Sequence, residues 1–257
     1  MSTRSTVIAY HAVGECAPED DPHSLFITLE AFERQMDFLA QHRRVVTLAE
    51  AVAGPRDGGA PAVAITFDDG YRSVLECAVP VLEDHNFPAT IFVPTKWLGD
   101  HNRWDPPSRC PLSIMDVDEL RTAAARGFSI ETHGHEHRHL EGASEEIAAA
   151  DIAASLAVLG KIQESAVRFL AYPFSHGSPD AQRAAQAAGL NAAFSIDRPG
   201  TGRFDFPRVQ ITPYDGTSMF RLKTSGRYLG LRFSPAGRLA TVVTRPLRRG
   251  RRLAATA

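Results

Sequence analysis

Four short apolar runs in this sequence each stop on residues that can do chemistry, and each is followed by a helical pattern. Residues 7–10 run into His11, residues 62–67 into Asp68 and Asp69, residues 128–132 into His133, and residues 167–171 into Tyr172-Pro173-Phe174. Apolar runs of this length between turn residues read as buried strands. Further strands are expected at 45–48, 87–94, 192–196 and 209–211, and helices at 32–41, 74–85, 116–126, 144–163 and 180–188. Strands alternating with helices imply right-handed crossovers and a parallel sheet, open or closed into a barrel. In such sheets, functional groups collect at the C-terminal strand ends. That places His11, Asp68, Asp69, His133 and the 172–174 segment on one face.

The run ending at Asp68-Asp69-Gly70 carries the most information. Neighbouring side chains on a strand point to opposite faces, so two adjacent carboxylates share a site only where the chain turns. Gly70 tolerates such a turn. Two carboxylates in different environments suit two tasks, holding a cation and handling a proton. Helix capping would use only one of them.

Among 257 residues, 44% are hydrophobic, enough for one sizeable core. The formal net charge of -2 gives no electrostatic case for nucleic acid. No run of about 18 apolar residues predicts a transmembrane helix. The first residues show no long apolar signal segment, so a cytoplasmic location is expected. Cys16, Cys77 and Cys110 are odd in number and scattered, which fits reduced thiols and no thiolate metal site. The catalytic domain is expected over residues 1–225, followed by a basic tail over 226–257 containing Arg245, Arg248, Arg249, Arg251 and Arg252. A disordered solubilising end and weak peripheral contact with anionic lipid both fit that composition.

His133, His135, His137 and His139 occupy every second position. In a strand all four would share one face; in a helical turn only 133/137 or 135/139 would converge. Two imidazoles and a carboxylate leave coordination positions open, the layout of a hydrolytic metal site. Trp97 and Trp104 lie in a long irregular loop, where aromatic faces could wall a sugar ring or simply pack in the core.

Thr66-Phe67-Asp68-Asp69-Gly70 followed by His133-x-x-x-His137 and Leu140 resembles the polysaccharide deacetylases of the NodB-homology family, carbohydrate esterase family 4, over about residues 7–224. The resemblance implies a distorted (β/α) barrel of about seven parallel strands. It also implies a divalent metal held by Asp69, His133 and His137, zinc first, with cobalt, nickel or manganese as alternatives. Asp68 would be the general base. Ala171-Tyr172-Pro173-Phe174 stands where the family has Arg-x-Pro-Tyr, so the backbone N–H of Phe174 would face the oxyanion and Tyr172 the substrate.

Three departures qualify the match. Gly134 replaces a Ser or Thr, which removes a loop hydrogen bond. Ala171 replaces the arginine that orients the base. No C-terminal Leu-x-His supplies the acid. Tyr10-His11 resembles a permuted subgroup in which a first-strand histidine takes that role, so His11 would be the acid. Arg208, after Phe206-Pro207, is a candidate for the lost arginine, with a surface ion pair as the alternative.

The implied activity is hydrolytic removal of acetyl groups from N-acetylated sugars of a polysaccharide or glycan precursor, by water activated at the metal. Trp97, Trp104, Tyr172 and Arg208 would contact the substrate. The alternatives are an O-deacetylase, a small-molecule amidase, or a catalytically silent glycan-binding module.

Overall fold

The structure is a computed structural model that describes residues 5–17, 19–54, 61–104, 112–235 and 237. In chain order its elements are β1 Thr6–Tyr10, β2 Ala12–Val13, β3 Phe26–Ile27, α1 Leu29–His42, β4 Arg44–Val45, α2 Leu48–Ala53 and β5 Ala62–Phe67. A π-helical turn, Val74–Ala78, leads into α3 Val79–Asp84, then β6 Ala89–Val93, α4 Val117–Ala125, β7 Ser129–Thr132, α5 Glu145–Leu159 and β8 Phe169–Ala171. Then come α6 Pro179–Ala187, β9 Ala192–Ile196, β10 Phe206–Gln210, α7 Thr217–Lys223 and α8 Tyr228–Arg232.

The strands β5, β6, β7, β8, β9, β10 and β1 pair in that order, all parallel, and β1 pairs back onto β5, closing a seven-stranded barrel. Period-two alternation sorts the side chains. Ile8, Val63, Ile65, Phe67, Ile91, Val93 and Ile130 face outward and pack in one cluster with α1, α3 and α4. Val7, Ala62, Ala64, Phe92, Phe169, Ala171, Ala192 and Phe194 form a second cluster drawn from five strands, the barrel interior. Small residues on β5, β8 and β9 leave that interior room for the three phenylalanine rings.

The expected strand at 45–48 is shorter than anticipated. Only Arg44–Val45 pairs, with the start of β5. Thr47 then caps α2, and its side chain and that of Glu50 form a reciprocal capping box. Val46, Leu48 and Ala51 join the interior cluster, so α2 plugs the barrel at its N-terminal mouth. Chemistry is thereby confined to the opposite, C-terminal end.

Cys16 is disulfide-bonded, correcting the expectation of reduced thiols, while Cys77 is a free thiol. Tyr228 and Leu229 pack against the outer cluster, and Arg232 pairs with Asp197 at 3.0 Å, so packing continues past residue 225. The tail arginines 245–252 lie outside the described residues. Among the described residues, no helix is long and apolar enough to cross a membrane.

β7 and β8 pair directly at Thr132 and Leu170. Glu131, buried, bridges the seam by accepting from the backbone N–H groups of Arg168 at 2.7 Å and Phe169 at 2.8 Å. Glu131→Ala would leave both donors unsatisfied. It is expected to cost about 2–6 kcal/mol, given ~1–3 kcal/mol for each of the two buried orphaned groups, as read by urea denaturation. A loss below about 0.5 kcal/mol, the scale of an ordinary surface change, would show that the seam does not depend on it.

Candidate metal centre and active site

Asp69 follows the last turn of β5 in the left-handed region (φ 68), as does Gly70 (φ 63). The turn therefore begins one residue before the glycine, and it swings Asp69 off the strand alternation toward β7. A side chain at Gly70 would press on Val93, whose Cγ atoms would lie 3.1 and 3.2 Å from it. His137 is also left-handed (φ 52). Non-glycine residues held in this region cost about 1–3 kcal/mol each and cluster at functional sites.

Asp69 Oδ1 lies 3.3 Å from His133 Nε2 and 3.0 Å from His137 Nε2, and all three side chains are buried. One ligand atom from each falls within 4.8 Å of the others. The His133 Nδ1 is 2.8 Å from the Ala171 carbonyl oxygen. A carbonyl only accepts, so Nδ1 carries a proton, and Nε2 is the ring nitrogen left facing Asp69. No hydrogen-bond donor among the described residues satisfies Asp69 Oδ1. A carboxylate oxygen and two imidazole nitrogens meeting in a dry site suit a positive centre between them. The residues therefore fit a divalent cation, with a backbone carbonyl orienting one imidazole. Burial pushes the Asp69 carboxyl up, but the two neighbouring imidazoles outweigh it and hold it well below the usual range. The two other histidines turn away: His135 Nδ1 meets Thr95 Oγ1 at 2.9 Å, and His139 stacks on Phe174 at 3.7 Å between ring centroids.

Asp68 keeps the strand alternation and points inward. Arg208 reaches it from β10, pairing Nη1 with Oδ1 at 2.6 Å and Nη2 with Oδ2 at 2.8 Å. Arg208 Nη1 also donates to Thr66 Oγ1 at 3.1 Å, and the guanidinium lies 5.2 Å from the Phe92 ring centroid. Arg208 is 0% exposed, so the surface ion-pair alternative is excluded. Burial pushes Asp68 up, yet the Arg208 charge, with the nearby His133, brings it below the ordinary carboxylate range.

A cavity of about 220 Å³ unites these groups; it is lined by His11, Asp68, Asp69, His133, His137, Tyr172, Phe174 and Trp104. The Asp68 N–H donates to the Tyr10 carbonyl at 2.9 Å, which sets His11 beside it at the end of β1. Trp104 stacks on His137 at 3.9 Å. Trp97 stands a layer back: it is not among the lining residues, and its Nε1 donates to the Glu136 carbonyl at 3.1 Å. Tyr172 is fully buried, its hydroxyl donating to the Phe204 carbonyl at 2.9 Å. Arg208 acts from beneath the cavity, through Asp68.

Sequence reasoning missed His23, Leu25, Ser175, Ile196 and Gln210 in the lining. Ile196 and Gln210 end strands, as the other site residues do, and position alone could have found them. His23 and Leu25 lie in a loop that buried Asp21 ties down, accepting from the N–H groups of Leu25 and Phe26 at 2.8 and 3.0 Å; no local pattern signals that.

His133→Ala and His137→Ala are expected to lose bound metal by elemental analysis, whereas His135→Ala keeps it; an empty site in His135→Ala would overturn the ligand set. Arg208→Met would leave Asp68 buried without its partner, an expected loss of about 3–5 kcal/mol in urea denaturation. An unchanged transition midpoint would show that the pair contributes nothing.

A family model described as polysaccharide deacetylase matches residues 56–193, more than half of the chain. The matched segment contains Asp68, Asp69, His133, His137 and Phe174, while His11 and Arg208 reach the same cavity from outside it. A poly-beta-1,6-N-acetyl-D-glucosamine N-deacetylase of Staphylococcus epidermidis is 27% identical over 227 residues, covering 79% of this chain and 77% of the relative. The Streptococcus pyogenes deacetylase PplD, solved with acetate, superposes with a TM-score of 0.74 at 19% identity, covering 88% of this chain and 99% of that one. IcaB from Ammonifex degensii superposes at 0.71 with 24% identity, over 87% and 96% of the two chains. At those identities the two structures establish the shared fold. With the family match spanning the Asp-Asp strand end and both site histidines, the chain belongs to the polysaccharide deacetylase family.

Proposed function

We propose that this chain hydrolyses the acetamide carbon–nitrogen bond of N-acetylated sugar units in a polysaccharide or glycan precursor, as a member of the permuted subgroup whose acid is a first-strand histidine. The observation that carries this reading is the buried Asp69-His133-His137 set in the same cavity as an ionised, arginine-anchored Asp68. The named activity of the Staphylococcus epidermidis relative supports a β-linked N-acetylglucosamine polymer as the substrate class.

Asp69, His133 and His137 would hold the cation; two imidazoles and a carboxylate suit zinc, with cobalt, nickel or manganese as alternatives. When bound, such an ion polarises an amide carbonyl and acidifies water. Asp68 takes the water proton. Arg208 engages both of its oxygens but leaves each a lone pair, and the pairing fixes the carboxylate's orientation at the cavity floor. His11, protonated, gives its proton to the departing amine nitrogen, without which the tetrahedral adduct returns to the amide. The Phe174 N–H donates to the developing oxyanion, a role worth about 3–4 kcal/mol. Phe174 is left-handed (φ 56) and 37% exposed. Together with Trp104 it gives the sugar ring an aromatic wall. Exposed lining residues open the cavity to solvent, which favours a chain-borne sugar over an enclosed small molecule.

Metal-stripped protein reloaded with zinc, cobalt, nickel or manganese is expected to release acetate and free amine in equal amounts from poly-β-1,6-N-acetylglucosamine oligomers. A loaded protein that binds the oligomers but releases no acetate would instead be a glycan-binding module. His11→Ala is expected to lose about 10²–10⁴-fold on the amide, the usual contribution of a general acid, while sparing activated acetyl esters. Equal losses on both would remove His11 from that role.

A further inference from the structure

The chain between His133 and His137 must place two imidazoles on one ion, and its backbone is held from two sides. On one side, the turn at Thr95–Trp97 donates to it. Thr95 N–H reaches the Gly134 carbonyl at 3.2 Å, Lys96 N–H the His135 carbonyl at 2.9 Å, and Trp97 Nε1 the Glu136 carbonyl at 3.1 Å. On the other side stands α5. Asp151 Oδ2 accepts from His135 N–H at 2.9 Å, and Asp151 Oδ1 accepts from Glu136 N–H at 3.0 Å. One turn further along α5, Ser155 Oγ lies 2.6 Å from Thr132 Oγ1, which accepts from Gly134 N–H at 3.0 Å.

Asp151 is a charged side chain buried in mid-helix, 2% exposed, where a carboxylate has no place unless it is bound. Its nearest cation, Arg138 Nε, is 3.7 Å from Oδ1, so the two short bonds to backbone N–H groups are its main partners. Gly134 fits this arrangement. It is left-handed (φ +76), and a Cβ there would lie 2.5 Å from Asp151 Oδ2. A residue with a side chain would displace the carboxylate from the loop. Gly134 thus leaves the space in which Asp151 grips the two following amides, in place of the hydrogen bond that a Ser or Thr side chain would make.

We propose that Asp151 is the positioning residue of the metal centre: its carboxylate holds the backbone between His133 and His137 in the conformation that aims both imidazoles at Asp69. This rests on the reading of Asp69, His133 and His137 as the metal set. Asp151 itself touches neither metal nor substrate.

Asp151→Asn in the full chain is the direct test. The side chain keeps its shape, but one oxygen becomes an NH₂ group that confronts a backbone donor instead of accepting from it. Zinc affinity, measured by competition with a chromogenic chelator, is expected to weaken about 10–100-fold, the usual effect of removing a group that orients metal ligands. The visible absorption of the cobalt-loaded variant is expected to shift, a change that a loss of stability alone would not produce. Affinity within twofold of the unaltered protein and an unchanged cobalt spectrum would overturn the proposal. If the variant does not fold, amide exchange in the unaltered, metal-stripped protein decides: slowed exchange at His135 and Glu136 supports the grip, and exchange at the rate of free amides overturns it. An unaltered protein that binds neither zinc nor cobalt would instead overturn the metal reading, and the present proposal with it.

Discussion

A carboxylate at the head of a closed barrel cannot stay charged without a partner as dry as itself. Asp68 needs its charge to accept a proton, and Arg208 meets it with two short parallel hydrogen bonds. Taking two ions out of water costs several kcal/mol each, so such a pair adds little net stability. What it provides is a fixed, ionised base. Much of the interior follows from that requirement: Thr66 takes a further Arg208 bond and passes one on to the Ile8 carbonyl at 2.8 Å, and Phe92 presents its ring to the guanidinium. Ala171 stands on β8 where the family pattern has the arginine, so the cation here enters from β10 instead.

The barrel divides its labour along its axis. α2 closes the N-terminal mouth with apolar contacts to the interior cluster, leaving the opposite end to polar groups. At that end the backbone departs from regular conformation at Asp69, His137, Phe174 and Ser175, all with positive φ. Each bend redirects a side chain or an amide toward the cavity, and the surrounding hydrogen bonds hold it there. The loop carrying His137 shows this most fully, because its carbonyls and amides are claimed by a turn on one side and a helix on the other. Trp97 belongs to this support, which explains why only Trp104 of the two tryptophans reaches the cavity.

Much of this was legible in the residues themselves. Alternating apolar runs and helical patterns specified a parallel α/β fold, since each strand needs cover on its outer face and a right-handed return. Polar residues at strand ends marked one catalytic face. The adjacent carboxylates and the alternate histidines pointed to a metal site at these strand ends, and the resemblance to the NodB-homology family assigned it to Asp69, His133 and His137. The short α2 was also written locally, in Thr47 and Glu50, but the apolar Val45-Val46 before it read as strand.

Other features depend on contacts far apart in sequence. Arg208 and Asp68 are separated by 140 residues, and only barrel closure brings β10 across to the end of β5. The grip of Asp151 on the histidine loop, the place of Trp97 behind Trp104, and the entry of His23 and Leu25 into the cavity wall have the same origin. Residue types and their spacing determined which chemistry this chain could hold and at which strand ends. Only the closed sheet decided which cation faces which carboxylate, because a side chain buried by distant strands has no local signature of its partner.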